Sequence, residues 1–260
     1  FNILNPRLNN HGNENPVQRM EFPLMQWIFA CFYKVFGNHL IISRILSFVI
    51  GLLSVWGMYA LIRQLTTNVF VALGGAWCFA FSPLIYYYSL NPLPDNMALC
   101  MAIWGTVAAL SYFKSGNLKT AAIAAALLMT ATLCKLPFVV FSGVLFLIFL
   151  RGLKSDFRKS LVLAGIVLLI FIPALAWYIA VIPGWEGNGV LTGIFANNEN
   201  SSWNYLWGNF SSTLPELLLN YGACLFFILG FVLFFRKKGW KIPAVRLLLF
   251  PALLVVCYFI

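Results

Sequence analysis

An all-α, polytopic transmembrane helix bundle is the fold class this sequence predicts, and three observations predict it. Apolar residues make up 62% and charged residues 9% of the chain, where a soluble domain averages about 45–50% and about 25%. Apolar runs recur at the length of about 20 residues that a spanning helix requires. Lysines and arginines gather in every second connection between those runs, and mean hydropathy is +0.87.

Residues 40–62, 69–90, 95–113 and 160–182 each read as one span, as do 214–235 and 242–260. The apolar stretch 118–150 is too long for one helix. Its KLP at 135–137 divides it into 118–134 and 136–150, with the proline opening the second part because its missing N–H costs nothing there. The total is about eight spans. LMQWIFACFYKVF (24–36) is too short to cross; Gln26, Trp27 and Lys34 suit a helix lying in the interface. The chain therefore divides into an external segment with an interfacial helix (1–39) and a transmembrane domain (40–260) with an external loop at 183–213. It begins with Phe1 and stops at Ile260 inside an apolar run, so further segments are expected at each end.

Alternating the spans places Arg63, Lys114, Lys119, Arg151, Lys154, Arg158, Lys159, Arg236, Lys237, Lys238 and Lys241 on one side. The positive-inside rule makes that side cytoplasmic. The net charge of +10 then has a topological origin and does not point to nucleic acid. Glu14, Glu21, Asp95, Glu186, Glu199 and Glu216 fall on the other side, leaving only Asp156 with the basic loops. Any acid–base chemistry is thereby expected outside the cytoplasm. The six cysteines lack metal-ligand spacing and read as small apolar residues.

Asp95, in YYYSLNPLPDNMALC, lies at a turn between spans; it reads as a helix N-cap or as a functional carboxylate at the membrane edge. Lys135, in TLCKLPF, either snorkels to headgroups or contacts a phosphate as a point charge. Arg44, one turn inside its span, either snorkels or pairs with Asp95 or a lipid phosphate. Arg19 and Glu21 precede FPL, and Glu21 there suits the dipole of the interfacial helix. His11 and His39 have no paired spacing and read as surface residues, and Glu216 as a first-turn acid. Trp185, Trp203 and Trp207 suit interfacial anchoring, and NSS and NFS (200–202, 209–211) match the glycosylation acceptor pattern.

EFPLMQW, SRILSFVIGLLSVWGMYALIRQL, SPLIYYYSLNPLPDNMAL and LLMTATLCKLPFVV follow one another in an order that resembles the GT-C-type membrane glycosyltransferases, of the dolichyl-phosphate-mannose–protein mannosyltransferase and aminoarabinose transferase kind. The resemblance covers roughly residues 20–150 and rests on the order of short motifs. It implies transfer of a hexose or pentose from a dolichyl- or undecaprenyl-phosphate carrier to a protein or glycolipid acceptor on the extracytoplasmic face. It further implies catalytic roles for Glu21 and Asp95, substrate contacts for Lys135, Arg44 and Arg19, and a divalent metal cation held with the help of Glu21. The family's principal catalytic acid would lie upstream of residue 1. A bacterial inner membrane is the expected location, with membrane lipids as neighbours. The alternative is a secondary transporter or flippase for a lipid-linked or small anionic substrate. That class places ionisable groups near the bilayer midplane and carries inverted repeats; here the acids collect at one surface.

Overall fold

The computed structural model describes residues 21–185, with Leu4, Ser211, Gly230, Val232 and residues 235–236, 239–249 and 251. Within 21–185 the chain forms eight α-helices: α1 (Leu24–Phe36), α2 (Leu40–Leu65), α3 (Val69–Ala80), α4 (Pro83–Leu90), α5 (Pro94–Ser115), α6 (Leu118–Cys134), α7 (Gly143–Leu153) and α8 (Phe157–Val181). A 3-10 segment, Leu136–Ser142, leads into α7. Its entry is set by Pro137, next to an extended Lys135 that ends α6 (φ −157°, ψ 116°).

Four stretches are long and apolar enough to cross a membrane: α2, α5, Leu136–Leu153 and α8. The run expected as one span over 69–90 is bent by 65° between α3 and α4. Ser82 and Pro83 start a new helix there, with the proline in its first turn. Counting that pair as one span gives up to five among the described residues, against the expected eight or so. The expected span 118–134 is a helix of 17 residues, at about 1.5 Å per residue slightly short of a ~30 Å hydrocarbon core. The expected spans 214–235 and 242–260 lie mostly outside the described residues. Helix α1 begins and ends where the sequence predicts a short helix. Met25 and Phe29 face inward against Met97, Ala98 and Cys134, while Trp27, Val35 and Phe36 are exposed.

Helix α5 is the centre of the bundle. In its apolar stretch 67% of the residues are buried, against 22% in α2 and in α8. It packs on α2 along one side and α6 along the other, and α6 packs in turn on α8. The buried face of α2 consists of Ser43, Ser47, Gly51, Ser54 and Gly57. Small residues bring helix backbones close where no hydrophobic drive operates between apolar helices in lipid. Polar rungs exploit that closeness: Asn96 Nδ2 donates to the Ser47 carbonyl (2.7 Å), Trp104 Nε1 to Leu53 (3.0 Å) and Gln64 Nε2 to Val107 (2.9 Å). Across the other side, Leu110 and Leu128 are fully buried with Ala121, Ala124 and Ala125.

The antiparallel packing sends the basic connections to one end. Lys114 Nζ donates to the Gln64 carbonyl (2.7 Å), and the Arg151 guanidinium lies 5.5 Å from the centre of the Phe113 ring. Asp156 caps α8 at this end, its carboxylate accepting from the Lys159 N–H (3.1 Å). The N-terminus of α5 and the C-termini of α6 and α8 lie at the other end.

The closeness of α5 and α6 is testable. A Cβ at Gly105 would meet the Leu128 side chain at 2.7 Å and its backbone nitrogen at 3.2 Å, whereas one at Gly165 meets nothing within 4 Å. Gly105→Ala is expected to destabilise the bundle by about 1–3 kcal/mol through overpacking. Gly165→Ala is expected to be neutral or to stabilise by up to about 1 kcal/mol through helix propensity. Thermal unfolding in one detergent measures both, and equal midpoints would contradict the packing described.

Candidate functional site

Three chain segments meet beyond the C-terminus of α6. Pro137 has no N–H, so the carbonyl of Leu133 has no partner at the position where a continuing helix would supply one. Two other segments satisfy it. The Phe22 N–H donates to the Leu133 carbonyl at 3.2 Å, and the Tyr178 hydroxyl lies 3.2 Å from the same oxygen and 3.0 Å from the Thr132 carbonyl. Phe22 also meets Trp177 edge to face, with ring centroids 5.0 Å apart. The segment preceding α1, the end of α6 and the end of α8 are thus tied together at one carbonyl.

This junction fixes Glu21 and Lys135. The Lys135 ammonium donates to Asp95 Oδ1, and its Nζ lies 3.8 Å from Glu21 Oε1. The three side chains are 25–34% exposed, so water reaches them while much of their surface is covered. Asp95 sits in the first turn of α5, but Leu93 occupies the N-cap and no side chain caps the helix. The capping role expected for Asp95 is therefore not the one it has. The Pro92–Leu–Pro94 sequence starts the helix two residues earlier than a capping Asp95 would, and the carboxylate is committed to Lys135. Snorkelling of Lys135 is likewise replaced by its pairing with the two acids.

Burial raises the pKa of Glu21 above the ordinary carboxylate value; Lys135 opposes the rise and Asp95 adds to it. For Lys135, burial works against the charged form, but the hydrogen bond and charge of Asp95, with the charge of Glu21, outweigh it and its pKa is raised. Lys135 consequently stays an ammonium throughout the neutral range. Its contribution to stability is present below the unfolded-state pKa and is lost only as pH climbs through the higher folded value.

Arg44 is exposed on α2 and makes no ion pair with Asp95, because Lys135 takes that carboxylate. Arg19, His11 and the acids Glu14, Glu186, Glu199 and Glu216 lie outside the described residues, as do Trp203, Trp207 and nearly all of loop 183–213. Among the described residues no three His, Cys, Asp or Glu side chains converge. Glu21 and Asp95 meet only through the Lys135 ammonium, which already takes the cation's place between them. These described donors alone do not fit the divalent cation expected with Glu21.

Tyr178 and Phe22 carry the junction but escape notice in the sequence. The available signal is Pro137, which strips a partner from a carbonyl four residues back and so demands a donor from elsewhere.

A helical bundle with several spans and an acid–base cluster at one end defines an integral, multi-pass membrane protein with a candidate catalytic centre. Residues 16–177 match the family model described as Dolichyl-phosphate-mannose-protein mannosyltransferase. The match covers more than half of the chain, which belongs to that family and so to the GT-C-type membrane glycosyltransferases. No curated protein and no solved structure matched the chain. Members of this family are glycosyltransferases that use polyprenyl-phosphate-sugar donors.

Tyr178→Phe removes the hydroxyl donor and leaves the Thr132 carbonyl short of a partner, while the Leu133 carbonyl keeps only the Phe22 N–H. It is expected to cost about 1–3 kcal/mol and to lower the thermal unfolding midpoint. An unchanged midpoint would show that the hydroxyl does not hold the junction.

Proposed function

We propose that this protein transfers a glycosyl unit from a polyprenyl-phosphate donor to an acceptor hydroxyl at the membrane face opposite the basic loops. The observation that carries the reading is the convergence of Glu21 and Asp95 on Lys135 at that end of the bundle. By the positive-inside rule that face is extracytoplasmic. The acceptor is a protein or a glycolipid, and a bacterial inner membrane is the setting we favour.

In the proposed reaction the acceptor oxygen attacks the anomeric carbon of the donor. The bond from that carbon to the phosphate oxygen breaks, and polyprenyl phosphate leaves with the electron pair. The hydroxyl proton passes to a carboxylate, for which Glu21 is the better candidate. Its raised pKa makes it a stronger base than an ordinary carboxylate, and its 3.8 Å separation from Lys135 is looser than the direct hydrogen bond that Lys135 gives Asp95. Asp95 then orients Lys135. An ammonium has three donors; one goes to Asp95, leaving donors for the oxygens of the departing phosphate, where added negative charge needs stabilising. Arg44 and Arg19 are proposed to meet the carrier phosphate as it approaches. A divalent metal, if the whole protein uses one, would draw on donors besides those described here.

In membranes or nanodiscs supplied with polyprenyl-phosphate sugars, Glu21→Gln is expected to lower turnover by about 10²–10⁴-fold with expression retained. Lys135→Ala is expected to raise the KM for donor as well. The wild-type rate should fall as pH drops through the raised Glu21 pKa, so its acid limb lies above the ordinary carboxylate value of about 4.3. That limb should vanish in Glu21→Gln. Wild-type turnover in Glu21→Gln, or an unaltered acid limb, would remove Glu21 as the base.

A further inference from the structure

Two recesses lie side by side at the basic end, and Arg151 lines both. The smaller, of about 290 Å³, lies between α5, α7 and α8 and includes Asp156 and Lys159. The larger, of about 620 Å³, lies between α7 and the helical stretch 243–249, and is walled by Arg151, Lys154, Arg246, Leu147, Leu150 and Leu247. No carboxylate lines this larger recess among the described residues.

We propose that this larger recess is a binding site for an anionic phospholipid of the leaflet on the basic side, with the lipid phosphate on the three cations and an acyl chain along the leucines. The spacing of α7 carries the argument. Residues 147, 150, 151 and 154 recur at three and four and so share one helix face. Rising about 1.5 Å per residue, Leu147 lies roughly 6 Å deeper than Arg151, so the face passes from cationic to apolar in the direction a lipid does. Phe146 and Leu150 on the same helix are 51% and 41% exposed, continuing an apolar surface toward the bilayer. Arg151 is held over the Phe113 ring, which limits the rotamer freedom an incoming phosphate would otherwise have to quench.

A soluble phosphate would use the cations but leave the leucine wall without an occupant; a zwitterionic lipid would use the wall but not the excess charge. Anionic lipid uses both. Positive loops at this end would exist for topology alone, but topology requires only charge in the loops. It does not require three cations around an apolar groove.

The test counts lipids retained by the purified full-length protein, by native mass spectrometry from mixed micelles of phosphatidylglycerol and phosphatidylcholine. The wild type should retain phosphatidylglycerol in preference, with about a fivefold loss of preference for each cation removed. Lys154→Gln and Arg246→Gln should each show that loss, Arg151→Lys should keep the preference, and Lys119→Gln, exposed at the start of α6, should not alter it. Inorganic phosphate should not compete. No preference in the wild type, an equal loss in Lys119→Gln, or an unaltered preference in both groove variants would overturn the proposal. Displacement by inorganic phosphate would overturn it too, by showing an anion site without a lipid requirement.

Discussion

The site depends on one ammonium held between two carboxylates where a membrane helix ends. An isolated cation so placed would be costly, and two carboxylates facing each other without it would repel. Lys135 resolves both problems at once, and partial exposure keeps the desolvation penalty well below that of a fully buried pair. The arrangement also leaves the cluster one negative charge in excess when all three groups are ionised. The raised pKa of Glu21 follows from burial, with Lys135 opposing the rise and Asp95 adding to it.

Geometry at this end is set by the backbone before it is set by charge. Pro137 ends α6 and frees the Leu133 carbonyl, which then binds Phe22 and faces Tyr178. Glu21 is the residue before Phe22, and Lys135 lies two residues after Leu133. Fixing one carbonyl therefore fixes both partners of the ion pair, while Asp95 arrives on α5, the most buried of the spanning helices. Loss of a polar contact at this junction would loosen the charges as well as the helices. The small-residue seam between α2 and α5 has the same consequence at longer range, since Asn96, bonded to the Ser47 carbonyl, is the next residue after Asp95.

Much of this was legible in the sequence because the bilayer imposes strong rules. Apolar length and the alternation of basic turns placed α2, α5 and α8, and KLP placed the break between α6 and the segment after it. Length marked α1 as a helix too short to cross, and Gln26, Trp27 and Lys34 suited it to the interface. The same rules are silent about bends: 69–90 has the length of a span, and only Ser82–Pro83 hints that it is bent. They are equally silent about which cation pairs with which acid. Arg44 was the cation that could be set against Asp95, while Lys135 suited headgroups or a phosphate, because helix rotation and rotamer decide the partner and neither has a sequence signature. Tyr178 was invisible for a related reason, since an aromatic near the end of a span reads as an interfacial anchor until the carbonyl it serves is known.

The most direct test of the central claim is a double-mutant cycle on Asp95 and Lys135, using Asp95→Asn, Lys135→Met and the pair, with unfolding free energies measured in one detergent. The geometry predicts non-additivity of about 0.5–3 kcal/mol, with the double variant less damaged than the sum of the two single ones. Additivity within about 0.3–0.5 kcal/mol would mean that the two side chains do not interact, and the site built on them would not stand.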